Sequence, residues 1–193
     1  MQKRNALFLV FYLVLFAGFS QAQQRAADSE ENTYQVSLDS AKFYKKTNIA
    51  RSIDFIARAI SSLGQNPDKK ELALALSNLG EVYQYHRQYD LAISNFKDAQ
   101  EANKTFRTAL LLGNAYIQTR DYKNAASELH PLEEVNGVVP YQKIELYESL
   151  GDVYKGLGEF QKAIAYYQEG LKIANKNQVS PKIPDLNSKI ADA

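Results

Sequence analysis

Between residues 70 and 100 the apolar residues recur every three or four positions. Leu76, Leu79, Gly80 and Tyr83 fall at i, i+3, i+4 and i+7, which places them on one helical face. Ala92, Phe96 and Ala99 do the same on a second helix. Glycine and alanine at the centre of such faces let two helix backbones approach closely, and the aromatic residues fill the space around that contact. The pattern then returns. Leu79-Gly80-Glu81-Val82-Tyr83 is echoed by Leu112-Gly113-Asn114-Ala115-Tyr116 and by Leu150-Gly151-Asp152-Val153-Tyr154. In each copy an aromatic follows the glycine by nine residues (Tyr89, Tyr122, Phe160). Three residues later comes an alanine (Ala92, Ala125, Ala163), and four beyond that a large apolar residue (Phe96, Leu129, Tyr167). An ordinary helical bundle needs amphipathic helices, but not the same residue types in the same phase three times.

This spacing resembles the tetratricopeptide repeat, whose pattern is L-G-x2-Y followed by A-x3-F with a period of roughly 34 residues. Gly80 and Gly113 are 33 residues apart. The family's tryptophan place holds Leu76, Ala109 and Tyr147, and its usual closing proline is missing at Lys104 and Asn175. The resemblance implies an all-α fold, a right-handed α-α superhelix of tetratricopeptide helix-turn-helix repeats, because each pair alone leaves an apolar face wet and neighbours must stack. Repeats are expected at 73–106, 106–139 and 144–177. A degraded pair is expected at 33–66, with Ser40 in the glycine place, Phe43 in the tyrosine place, and Ser52 and Ile56 taking the alanine and phenylalanine places. Asp68 and Glu71 read as an N-cap and its capping-box partner. Pro131 predicts a kink or an early helix end, and Asn136-Gly137-Val138-Val139-Pro140 a loop. Residues 181–193 form either a capping helix or the first helix of a further repeat, since Ile190-Ala191-Asp192-Ala193 aligns with Leu150-Gly151-Asp152-Val153.

Residues 1–22 stand outside this pattern. Lys3 and Arg4, an uncharged run from Ala6 to Phe19, and the small residues of Ser20-Gln21-Ala22 follow the order of a secretory signal peptide. Cleavage is expected after Ala22, with the protein exported to the periplasm or cell envelope of a bacterium. The run of 14 residues is shorter than the roughly 20 of a membrane-spanning helix. Membrane contact is therefore expected only through this segment, were it to stay uncleaved.

Composition narrows the chemistry. Hydrophobic residues make up 45% and charged residues 23% of the 193, which suits a packed globular chain rather than a disordered one. Net charge is +1, and becomes −1 without Lys3 and Arg4, so no basic excess points to nucleic acid. There is no cysteine, hence no disulfide or thiolate chemistry. Neither histidine, His86 or His130, has a second histidine or a cysteine at i+3 or i+4 in metal spacing, and both read as surface residues. No phosphate-binding loop or nucleophile elbow is present. The expectation is a non-enzymatic interaction scaffold without cofactor or metal.

The resemblance implies that the first helices line a groove holding a peptide or protein segment. The expected groove residues are Asn78, Glu81 and Tyr85, then Leu110, Asn114 and Gln118, then Glu145, Glu148 and Asp152. The last three form an acidic stripe at i, i+3 and i+7, either a solvated face or a surface favouring a basic partner. Repeat arrays with an export signal also resemble the sensor portions of bacterial histidine kinases, so a front piece of a signalling protein is the alternative.

Overall fold

The computed structural model describes residues 33–193. The expected signal peptide and its cleavage site lie outside them. The described residues form helices joined by turns, with no strand among them. The chain divides into two compact units, with the boundary in sequence between Asp68 and Lys69.

The first unit holds α1 (33–44) and α2 (Ile49–Ser62). Asn48 caps α2 by accepting a hydrogen bond from the Arg51 amide. Leu38, Ala41, Ile56 and Ala59 are buried. The small-residue contact falls one position later than the sequence spacing places it. Ser40 is only half-buried, whereas Ala41 is buried and its carbonyl accepts a 2.8 Å hydrogen bond from the Ser52 hydroxyl. Phe43 correspondingly points to solvent, 75% exposed, and Tyr44 stacks on Phe55 with ring centroids 5.7 Å apart. Counting back a fixed interval misses this, because the register of a helix pair is set by the length of its own turn.

The second unit runs α3 (Lys69–Tyr85), α4 (Tyr89–Ala102), α5 (Phe106–Gln118), α6 (Tyr122–Leu129), α7 (Pro140–Gly156), α8 (Phe160–Lys176) and α9 (Lys182–Ala191). Thr105 caps α5 and exchanges hydrogen bonds with Thr108 in a capping box, and Asp121 caps α6. Helix α6 has only 8 residues. It ends at Leu129 and passes into a single 3-10 turn, His130–Leu132, where Pro131 has no amide hydrogen to continue the ladder. Pro140 is not part of the preceding loop but the first residue of α7, where its missing N–H costs nothing.

Helices pack pairwise, α3 on α4, α5 on α6 and α7 on α8, and successive pairs join through α4–α5 and α6–α7. The same interlock recurs at the centre of each pair. A large side chain from the second helix lies directly on a glycine of the first: Phe96 on Gly80, Leu129 on Gly113, Tyr167 on Gly151. All three side chains are fully buried. Gly156 is the last residue of α7 and receives the ring of Tyr122 from the preceding pair. The turn between paired helices needs a left-handed residue seven positions after each glycine. Gly158 supplies it without strain in the last pair, whereas Arg87 (φ 60°) and Arg120 (φ 61°) adopt it in the others, at a cost on the order of 1 kcal/mol each.

Helix α7 is buried on two sides. Leu146, Leu150 and Val153 join α5 and α6 in one core, while Ile144 joins Ala163, Tyr167, Ala174 and Leu186 in a second. Helix α9 packs chiefly on α8, with Leu186 fully buried beside Gly170.

Candidate functional site

The first helices lie side by side, α3 against α5 and α5 against α7. On their common surface is a cavity of about 240 Å³. Five of the nine residues expected from the sequence line it: Asn114 and Gln118 on α5, and Glu145, Glu148 and Asp152 on α7. The other four do not. Leu110 is 6% exposed and packs in the core of α5 and α7, so it offers a guest almost no surface. Asn78 is buried and its side-chain amide donates to the Leu74 carbonyl at 2.7 Å. Glu81 is paired with Arg107 of α5, and Tyr85 packs edge-on to His86 at the end of α3.

Four lining residues were not expected: Gln84, Ile117, Ser149 and Lys182. The cavity crosses the helices obliquely. It takes the C-terminal end of α3, the second half of α5 and the middle of α7, so one repeat position does not line it three times. Ser149 ties two of the helices together, its hydroxyl 2.6 Å from Asn114 Oδ1 and 2.8 Å from the Glu145 carbonyl.

The acidic stripe is met from within the chain. Lys182 Nζ on α9 donates to Glu148 Oε2 at 2.9 Å, and Lys189 Nζ lies 3.3 Å from Glu148 Oε1. Lys189 also donates to both Asp152 oxygens at 2.6 Å, and the Tyr167 hydroxyl donates to Asp152 Oδ1 at 2.7 Å. Burial alone would raise the Glu148 carboxyl, but the two ammonium groups outweigh it and hold it below the ordinary carboxylate range. Glu145 behaves oppositely. Burial raises its carboxyl and the neighbouring Glu148 adds to the rise, against a smaller pull from Lys182 and a hydrogen bond from Tyr141. The stripe is not the bare anionic face that its sequence suggests.

A second cluster of polar and aromatic groups sits where the 3-10 turn meets α7 and α8. His130, read from the sequence as a surface residue beside a kink, has both ring nitrogens engaged. Nδ1 is 2.7 Å from Glu133 Oε1 and Nε2 is 3.0 Å from the Tyr154 hydroxyl. Tyr154 stacks on Tyr166 at 5.3 Å, and Tyr147 also stacks on Tyr166, at 6.2 Å. Burial, with the Glu133 charge nearby, pushes the Tyr166 hydroxyl up to about 12. These groups hold one another and anchor the turn that Pro131 opens.

Comparison with known proteins agrees with this architecture. Residues 144–177, the α7–α8 pair, match the tetratricopeptide repeat family. A solved structure of pilF from Pseudomonas aeruginosa is similar with a TM-score of 0.70 at 17% identity, covering 85% of this chain and 68% of that one. Two structures of the Podosopora anserina putative kinesin light chain nearly identical TPR-like repeats are similar at 12% and 11% identity. Their TM-scores are 0.67 and 0.59, covering 82% and 84% of this chain and 83% and 93% of those chains. No curated protein matches the sequence. The fold is therefore the α-α superhelical fold of tetratricopeptide-repeat proteins. Such repeats generally serve as non-catalytic scaffolds for binding other proteins.

Proposed function

We propose that this chain is a non-enzymatic protein–protein interaction scaffold that holds a peptide or protein segment across α3, α5 and α7. The carrying observation is the cavity shared by those three helices, with the side-chain amides of Gln84, Asn114 and Gln118 and the carboxylate of Glu145 on its walls. An amide side chain both donates and accepts, which suits the alternating N–H and C=O groups of an extended backbone. Small-molecule sites are mostly apolar, and this surface is not.

The test is affinity capture from the host's extracts followed by mass spectrometry. Binding of each captured protein is then measured against Gln118→Ala with Glu145→Ala. A groove-bound partner loses affinity by roughly tenfold or more, while Lys172→Ala, at an exposed position of α8, leaves it unchanged. Equal binding by all three proteins would remove the groove from the reading.

We also propose that the chain is exported to the periplasm or cell envelope of a bacterium. Support comes from the basic, apolar and small-residue order of residues 1–22. Amino-terminal sequencing of protein recovered from the envelope fraction should begin at Gln23. A chain that keeps Met1 and stays in the cytoplasm would contradict this.

A further inference from the structure

Helix α9 shows what an occupant of the acidic stripe looks like. Its two lysines are seven residues apart, two helical turns, and they meet carboxylates four residues apart on α7. Lys182 and Lys189 are each less than one-third exposed, and so is Glu148 between them. Each ammonium also lies over an aromatic face, Lys182 over Tyr141 at 5.3 Å and Lys189 over Tyr167 at 5.6 Å. Lys182 is itself part of the cavity wall. With α9 seated, the group of Glu145, Glu148, Asp152, Lys182 and Lys189 carries a formal charge of −1. Without it, the three carboxylates alone carry −3.

The rest of the attachment is slight. Helix α9 fully buries only Leu186, with Ile183 and Ile190 partly covered, whereas α8 buries Ala163, Tyr167, Gly170 and Ala174. The Lys155 ammonium holds the Asp192 carbonyl just past its end. A short turn precedes it, in which Gln178 takes a left-handed conformation. Elements with few buried apolar contacts open at low free energy, ahead of the core they rest on.

We propose that α9 is an exchangeable placeholder: its lysines occupy the acidic side of the groove, and a basic segment of a partner gains that site by displacing them. The proposal rests on the groove reading above and adds the partner's chemistry and its regulation. The favoured guest is a basic helix with cations two turns apart. Partners without such charge meet a groove that is nearly neutral and partly closed by Lys182.

Fluorescein-labelled hexalysine tests this with the full chain, against hexaglutamate as the control. The Lys182→Met, Lys189→Met double variant should bind hexalysine roughly tenfold or more tighter than the unaltered protein at low salt, and the gain should shrink as salt rises. Saturating hexalysine should also speed amide exchange across Lys182–Ala191 in the unaltered protein while α7 and α8 stay protected. That second reading needs no variant, so it decides even where the double variant loses α9. Equal affinity of the two proteins, with α9 protection unchanged, overturns the placeholder. If that binding still falls on Glu145→Gln, Glu148→Gln and Asp152→Asn together, the groove reading stands without it. Hexalysine binding that ignores those three substitutions lies outside the groove and overturns the proposal too, leaving the scaffold reading to its own capture experiment.

Discussion

Gly151→Ala lowers the unfolding free energy by about 3 kcal/mol, the upper end for a single added carbon in a packed core. A methyl group at that position would overlap the Tyr167 ring, with even Cζ only 2.8 Å away. Tyr167 has no room to yield. Its side chain is fully buried, its hydroxyl is held by Asp152, and Lys189 covers its face. Gly113→Ala should cost less, about 1–2 kcal/mol. The overlapping atoms there, 2.6 Å away, are the branched end of Leu129, which has other rotamers. Shortening the obstructing ring should compensate: Tyr167→Leu in the Gly151→Ala background restores part of the loss, although each change alone destabilises. Urea unfolding of the four proteins gives the coupling directly. Additive losses would mean that the glycine and the ring do not interlock, and the explanation of the repeated glycine would fail.

That interlock is the part of the fold most legible in the sequence. A glycine followed sixteen residues later by Phe96, Leu129 or Tyr167 repeats three times in the second unit, and each pair is in contact. Helix ends with a chemical signature were legible for the same reason: Pro131 stops α6 because it has no amide hydrogen to donate. Four features were harder to see. Helix α7 buries residues toward two cores, so its apolar residues do not gather on one face, and a single stripe understates what it packs against. The first pair sits one residue out of register because the link between its helices is its own. The groove runs obliquely across its helices, so copying one repeat position to the next assigned the core residue Leu110 to the groove and overlooked Gln84 and Ile117. The neutralisation of Glu148 and Asp152 was the least visible of all. Lys182 and Lys189 lie 34 and 37 residues away in sequence, and only the packing of α9 on α8 brings them over.

Phe96→Ala should cost about 3–5 kcal/mol, the usual loss when a fully buried aromatic becomes alanine. Its ring lies on Gly80 of α3 and belongs to the core that also holds Ala109, Leu112 and Ala115 of α5. The cavity left behind can collapse little. Gly80 has no side chain to fill it, and the neighbouring Ala92 and Ala99 are too short. Because α4 joins one helix pair to the next, the loss should appear in the global transition. Leu186→Ala tests the contrast. That residue is as deeply buried, yet it anchors only α9 on α8. Its removal should accelerate amide exchange across Lys182–Ala191 by several hundredfold, on the order of the 2–5 kcal/mol that a buried leucine carries. The midpoint for α3–α6 should move little. The two variants together ask whether the second unit behaves as a stack with nearest-neighbour coupling. If Leu186→Ala lowers the protection of α4 as much as that of α9, the unit opens as one block. A helix that leaves only with the whole unit could not be exchanged for a partner.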